Sequence, residues 1–514
     1  MRLLTSRLAA RMLLASALLV LISSAAAAAP PVTFKVTLGS RVASDAPVSG
    51  RLLVFMRKSD KALESISPDF TDPSAVYVTG TEVANLKAGD VVTIDAESES
   101  FPAAFSRAPS GAYQVYALLD RDHSYTYDGA GAGDICSKTL TVTMPAESTA
   151  ITLSEVSPEK KADIPSNMRV IDFPSPRLTG FWGRPVSIQA TVMLPPGYDS
   201  SKGKKYPTVY VIHGYGGDHI KMIGSLTTVS KLMTESKIPG MIYVALNAHA
   251  SLGHHVFADS ANNGPWGTAL VEEFIPYLER QFRMDVKPSG RFLTGHSSGG
   301  WSTLWVMVTH PDFFGGTWST APDPVDFRSF TGPDLTQYPP QNAYTDAQGH
   351  DYNLVRVGGK DVMLVRQYAQ QERVLGYYGG QFASFNAAFS PKGPDGQPLK
   401  LFDIATGRID AGVQKAWERY DISRLLRDHW RTLGPKLKGK LHVIVGTADT
   451  FHLDEATRLL DAELEKLGSD AQFTYVEGRN HFDLYEGGLG ERIAKEMYTV
   501  ARPRERTPAA MRAR

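Results

Sequence analysis

The sequence predicts an α/β domain built on a doubly wound, largely parallel sheet, with an all-β domain ahead of it, and three observations carry that prediction. Residues 289–294, SGRFLT, run as a short apolar strand straight into GHSSGG at 295–300. Two further apolar strands, KLHVIVG at 440–446 and QFTYVEG at 472–478, each lead into a loop that presents an acid or a histidine. From residue 31 to 157, by contrast, short period-two runs alternate with Gly, Pro, Asp and Ser clusters and no helical stretch intervenes.

Taken in order, the chain begins with an address. Arg2, Arg7 and Arg11 precede the apolar run MLLASALLVLI at 12–22, and SSAAAAAP supplies small residues for cleavage near Ala28. That run is shorter than the roughly 20 residues a membrane span needs, so residues 1–29 read as a cleaved export signal and the protein as periplasmic or secreted. Residues 31–157 hold VTFKVTL, GRLLVFM, DVVTIDA, GAYQVYALLD and KTLTVTM, the pattern of an immunoglobulin-like β-sandwich acting as a structural or docking module. Residues 158–170, with Pro158, Pro165 and a Lys-Lys pair, read as a linker. In the α/β domain, 171–502, strands are expected at 186–194, 208–213, 241–247, 291–296, 316–320, 441–445 and 473–477. Helices are expected at 266–283, 415–429 and 453–467, the first with Leu270, Phe274, Tyr277, Leu278 and Phe282 on one face. The last residues, 503–514, are basic and poor in apolar side chains, as in a disordered tail.

The chemistry concentrates after strands. In G-x-S-x-G the serine sits on a sharp strand-to-helix turn that exposes its hydroxyl, and the flanking glycines allow the close backbone approach the turn requires. The expected nucleophile is Ser297. Asp449 follows the strand at 440–446 and His481 follows the one at 472–478, giving the chain order Ser, Asp, His. His481 would take the Ser297 proton while Asp449 orients the ring and stabilises the imidazolium. Residues 208–217, TVYVIHGYGG, form another buried strand opening into a glycine-rich turn. Its free N–H groups fit an oxyanion hole made by Ser298 N–H with Tyr215 N–H, or with Gly216 as the alternative.

HGYGG, GHSSGG, an Asp after a strand and NHFD together resemble the esterase D type of esterases, which includes S-formylglutathione hydrolases, feruloyl esterases and enterobactin esterases. The resemblance spans roughly residues 171–502. It implies an α/β hydrolase fold, Ser297, Asp449 and His481 as a triad, and an oxyanion hole near Tyr215 and Ser298. The chain departs from compact members by its N-terminal region and by a long insertion at 323–412, expected to reach over the catalytic edge as a cap. The insertion carries Tyr377, Tyr378, Phe382, Phe385 and Phe389, which either bind an aryl or sugar portion of a substrate or form the insertion's own small core. Trp301 either lines the acyl pocket or packs under the first helical turn.

Composition narrows the partners. The 514 residues suggest two or three domains, and 54 Lys plus Arg against 54 Asp plus Glu leave no global field to attract nucleic acid or an anionic membrane. Cys136 is the only cysteine, which excludes an intramolecular disulfide. His249, His254, His255 and Asp259 lack a metal-binding spacing, and Asp120, Asp122 and Asp128 lack that of a calcium loop, so no metal and no organic cofactor is expected. His296 and His452 lie near the expected triad, but neither follows the last strand. The sequence therefore points to an exported serine carboxylesterase acting through an acyl-enzyme on a small-molecule or glycan-linked ester. The rival readings are an acyltransferase, a serine peptidase and a non-catalytic binding protein on the same fold.

Overall fold

Eight strands make the largest sheet of the computed structural model, which describes residues 30–42, 46–159 and 161–503. They are β1 (Met168–Pro174), β2 (Ser187–Met193), β3 (Thr208–Ile212), β4 (Ile242–Leu246), β5 (Arg291–His296), β6 (Gly316–Thr320), β7 (Leu441–Gly446) and β8 (Gln472–Val476). Their spatial order is β1-β2-β4-β3-β5-β6-β7-β8. The first two pairings are antiparallel and the rest parallel, which is the α/β hydrolase arrangement. β3 and β4, covered on both faces, read as nearly continuous apolar runs. Alternate residues serve opposite layers: Val209 and Phe292 pack with the helices Ile223–Thr234 and Leu489–Ala501, while Tyr210 and Leu293 pack with Ser298–Thr309 and Ile422–Leu437.

The expected strands lie within a residue or so of those observed. β1 falls partly in the segment read as linker; it is an antiparallel edge strand in which only Met168 is fully buried, so it carries no apolar run. The helix expected at 266–283 ends at Gln281 and passes through one π turn, Leu270–Phe274, just before Pro276, which has no N–H to donate. The helix expected at 415–429 is two, because Asp421 accepts the Arg424 N–H and starts a second one, Ile422–Leu437.

The N-terminal region is a two-sheet sandwich. Thr33–Leu38 pairs with Val91–Asp95 and Ser148–Leu153 in one sheet and faces a larger sheet built on Val48–Lys58, Val76–Leu86 and Gly111–Asp120. Phe34, Val36, Leu52, Val54, Met56 and Val115 fill the space between the two sheets. The other face of the larger sheet is buried as well: Leu53, Phe55, Val78, Tyr116 and Leu118 join the core cluster of the hydrolase domain.

The insertion lies partly in that junction. Its helix Val365–Leu375 packs on Val76–Leu86 and Ser100–Phe101, where Arg51 Nη2 donates to Val374 O at 2.7 Å and Gln370 Nε2 to Ser100 O at 3.0 Å. Its helix Gln381–Phe389 buries Phe382, Phe385 and Phe389 among Phe330, Phe402, Trp417 and Tyr420. The expected export signal and all but the first residue of the tail lie outside the described residues; among the described residues no helix is long and apolar enough to cross a membrane.

Candidate active site

Ser297 occupies the turn between β5 and the helix Ser298–Thr309 with φ 61° and ψ −126°, a region that L-residues rarely adopt. The turn is held by Ser297 N–H donating to Thr320 O and by Ser297 O accepting from Trp301 N–H and Asp323 N–H. Both motif glycines are sterically required. A Cβ at Gly295 would stand 2.3 Å from Gly299 O, and one at Gly299 would stand 2.0 Å from Ile212 O.

Asp449 and His481 come from the loops after β7 and β8, at the same sheet edge. His481 Nδ1 donates to Asp449 Oδ2 at 2.8 Å, while Asp449 Oδ1 accepts the N–H groups of Phe451 (2.9 Å) and Leu453 (3.2 Å). Burial pushes the Asp449 carboxyl up, but His481 and the two backbone N–H groups outweigh it and hold the carboxyl below its ordinary value. His481 is 4% exposed, with the rings of His296 at 4.3 Å and Phe451 at 4.9 Å. His296 is half-buried, and loss of solvent around its ring drops it to about 3, while its Nδ1 bonds to Thr320 Oγ1. His452 faces Asp361 and Glu455.

The Ser297 hydroxyl does not bond to His481. Among the described residues its side-chain hydrogen bond goes to Asp323 Oδ1, at 3.4 Å. Oδ2 of the same carboxylate accepts from Ser298 Oγ (2.6 Å) and Gln381 Nε2 (3.1 Å). Burial raises Asp323 to about 6, against the opposing pull of Ser298, His481, Ser297 and Gln381. Sequence reasoning placed Asp323 only at the start of the insertion. The signal that would have found it is strand adjacency: β6 pairs with β5 in the register His296↔Thr320, so the residues just after Thr320 fall beside Ser297.

The glycine-rich loop after β3 packs against the elbow. Gly217 N–H donates to Gly214 O, and Gly216, with φ 74°, fills the turn position where glycine is favoured. Among the described residues the N–H groups of Tyr215, Gly216 and Ser298 donate to no protein acceptor. A Cβ on Gly214 would meet Ser297 Cβ at 3.2 Å, so this loop and Ser297 are neighbours.

Trp301, Tyr377, Tyr378 and Phe382 sit differently. Trp301 is buried, stacked on Trp305 and touching Phe389; Phe382 lies between Tyr368 and Phe402. Those are the contacts of core residues. Tyr377 Oη accepts from Asn386 Nδ2, and Tyr378 is exposed. It is the neighbouring Gln381 that brings the insertion to the elbow.

Two of the buried histidines have both ring nitrogens committed to backbone. His213 Nδ1–H donates to Gly214 O and its Nε2 accepts Ala248 N–H; His254 Nε2 donates to His213 O and its Nδ1 accepts Val256 N–H. His255 stacks on Trp266. Burial holds all three imidazoles below their ordinary values. Among the described residues the acidic group with metal-like spacing is Asp120, Asp122 and Asp134, not Asp128. Those carboxylates accept loop N–H groups from Ser124, Tyr125, Arg121 and Gly131.

Residues 185–481 match the family model described as "Putative esterase". The chain belongs to this esterase family. Esterase Rv1288 of Mycobacterium tuberculosis is 29% identical over 113 residues, 22% of this chain and 24% of its own length. The chain thus spans about a quarter of the curated relatives it matches. Among solved structures, a ferulic acid esterase aligns at 15% identity over 66% of this chain and 100% of its own, TM-score 0.43. FphF, a fluorophosphonate-binding serine hydrolase of Staphylococcus aureus, aligns at 16% identity over 64% and 97%, TM-score 0.40. An S-formylglutathione hydrolase from Agrobacterium tumefaciens aligns at 14% over 66% and 95%, TM-score 0.36.

Proposed function

We propose that the protein is an exported carboxylic ester hydrolase in which Ser297 forms an acyl-enzyme. The observation that carries this reading is the His481–Asp449 pair at 2.8 Å on the sheet edge where Ser297 occupies its strained elbow, in a member of an esterase family. When an ester enters, the Ser297 hydroxyl turns from Asp323 to His481, whose Nε2 takes the proton as Oγ attacks the carbonyl carbon. Asp449 stabilises the resulting imidazolium. The carbonyl oxygen, now negative, is met by the N–H groups of Ser298 and Tyr215, which carry no other load. The imidazolium then protonates the departing alkoxide, and water deacylates the enzyme by the same steps in reverse order.

The substrate is read as a small-molecule or glycan-linked ester, and residues 1–29 as the signal that exports the protein. The N-terminal sandwich is read as immunoglobulin-like on its two facing sheets, with one parallel pair, Thr33–Leu38 with Ser148–Leu153, in the smaller sheet. Labelling with a fluorophosphonate, followed by a panel of acyl and aryl esters with and without alcohol acceptors, tests the activity. A labelled Ser297 with ester turnover supports it, and a predominance of transfer products would make the enzyme an acyltransferase. An unlabelled serine with no turnover would refute it.

A further inference from the structure

The N-terminal sandwich touches the catalytic edge at two places, one on each side of the nucleophile. On the side of the acid and base, Phe70, in the loop between Val48–Lys58 and Val76–Leu86, packs at 5.7 Å on Phe451 and at 5.8 Å on Phe482. Those residues belong to the loops that carry Asp449 and His481. On the other side the helical turn Tyr125–Asp128 lies on the glycine-rich loop. Tyr215 Oη donates to Thr126 O at 2.8 Å, and Tyr127 Oη donates to Gly217 O at 3.0 Å. Lys221 Nζ bridges Asp128 Oδ1 and Gly216 O, at 2.9 Å each. The Tyr127 ring stacks on His249 at 4.0 Å and meets Tyr215 edge-on at 5.0 Å.

Three consecutive loop residues, Tyr215, Gly216 and Gly217, are thus gripped by three consecutive residues of another domain, Thr126, Tyr127 and Asp128, the last through Lys221. This matters because the loop has no ladder of its own to hold it. An oxyanion donor works only if it already points at the place where charge develops, and displacement of about 1 Å costs on the order of a hundredfold in rate. A glycine-rich turn is free to make such a displacement unless side chains oppose it. The hydroxyl of Tyr127 is buried and spends its one proton on the carbonyl of Gly217, so its contribution is to the loop's position rather than to solvation.

We propose that the N-terminal sandwich is a working part of the catalytic unit, with Tyr127 a positioning residue that fixes the oxyanion-hole loop. The proposal rests on the serine-esterase reading above. Its test is kinetic, on the full chain with a small ester, and counts active serines by their acyl-enzyme burst so that kcat is expressed per competent site. Tyr127→Phe keeps the ring and its stacking but removes the bond to Gly217; kcat should fall about tenfold with KM within twofold and an unchanged unfolding midpoint. Tyr127→Ala should fall about a hundredfold. Tyr215→Phe should resemble Tyr127→Phe, and the double Phe variant should lose less than the product of the two, since both bonds secure one loop. Should Tyr127→Ala fail to fold, Tyr127→Phe alone decides. Wild-type kcat in a folded Tyr127→Phe, or a loss confined to KM or to the number of active sites, overturns the proposal. Failure of the underlying reading looks different: the wild-type protein itself would then cleave no ester.

Discussion

On the proposed mechanism the chemistry depends on Ser297, and its neighbours rank clearly. Ser297→Ala should fold and lose about a millionfold in turnover, as should His481→Ala, because nucleophile and base act as one unit. His452→Ala should stay within about tenfold, its ring being engaged with Asp361 and Glu455 rather than Ser297. Steady-state rates on one ester check all three, and a reversed ranking of the histidines would move the base. Asp323 leaves a signature in stability. With its carboxyl raised to about 6, the folded chain keeps a proton that the unfolded chain has already released between the ordinary aspartate value and pH 6. This group's contribution to stability therefore falls as pH rises through that window, by about 3 kcal/mol when complete. Asp323→Asn should melt above the wild type at pH 8 and level with it near pH 4. Calorimetry at both pH values measures the difference, and a variant less stable at pH 8 would show the ionised carboxylate to be a net support of the fold.

Among the elements, the helix Gln381–Phe389 tests whether the insertion is core or cap. Phe382 is 6% exposed and packed between two aromatic rings, so Phe382→Ala should cost about 3–5 kcal/mol in unfolding free energy and leave the preference between a small and a bulky ester unchanged. Tyr378→Ala, at an exposed position, should cost little. A shift in ester preference without loss of stability would return the insertion to the binding role its aromatics first suggest. Central strands such as β4 are legible in the sequence as apolar runs because both of their faces are buried, although β6 buries Thr317, Ser319 and Thr320 as well. Ser297, Asp449 and His481 are legible as a set because each follows such a strand. What stays hidden is what has no local pattern. Val76–Leu86 is interrupted by Gly80, whose missing Cβ makes room for Val374 O, 2.9 Å from where that atom would be. Asp323 depends on the pairing of two strands, and the contact of Tyr127 with Gly217 joins residues 90 positions apart.

At the level of the whole molecule, one hydrophobic cluster runs from the sandwich residues Leu53, Phe55, Val78 and Leu118 through Val365, Val374 and Phe382 of the insertion to Leu293 and Trp301 on either side of Ser297 in the chain. Domains that share a core unfold together, so calorimetry should show a single transition, whereas two separated by more than a few degrees would mean that the junction contributes little. The continuous run RLLVFM at 51–56 already carries a trace of this: a sandwich strand with one face in solvent would alternate, and this one is buried through Leu52–Met56.

That buried outer face limits how the parts can be exchanged. The family match begins at residue 185, after the sandwich has ended, and so invites a cut near 171 to graft the esterase half onto a carrier. Such a graft would uncover Val365–Leu375 on the insertion and, on the discarded piece, the apolar side of Val48–Lys58 and Val76–Leu86. Two adhesive surfaces would then replace one closed molecule. The usable boundary for chimeras is therefore the start of the sandwich near residue 31, and a swap respecting it should remain soluble where one made at 171 precipitates.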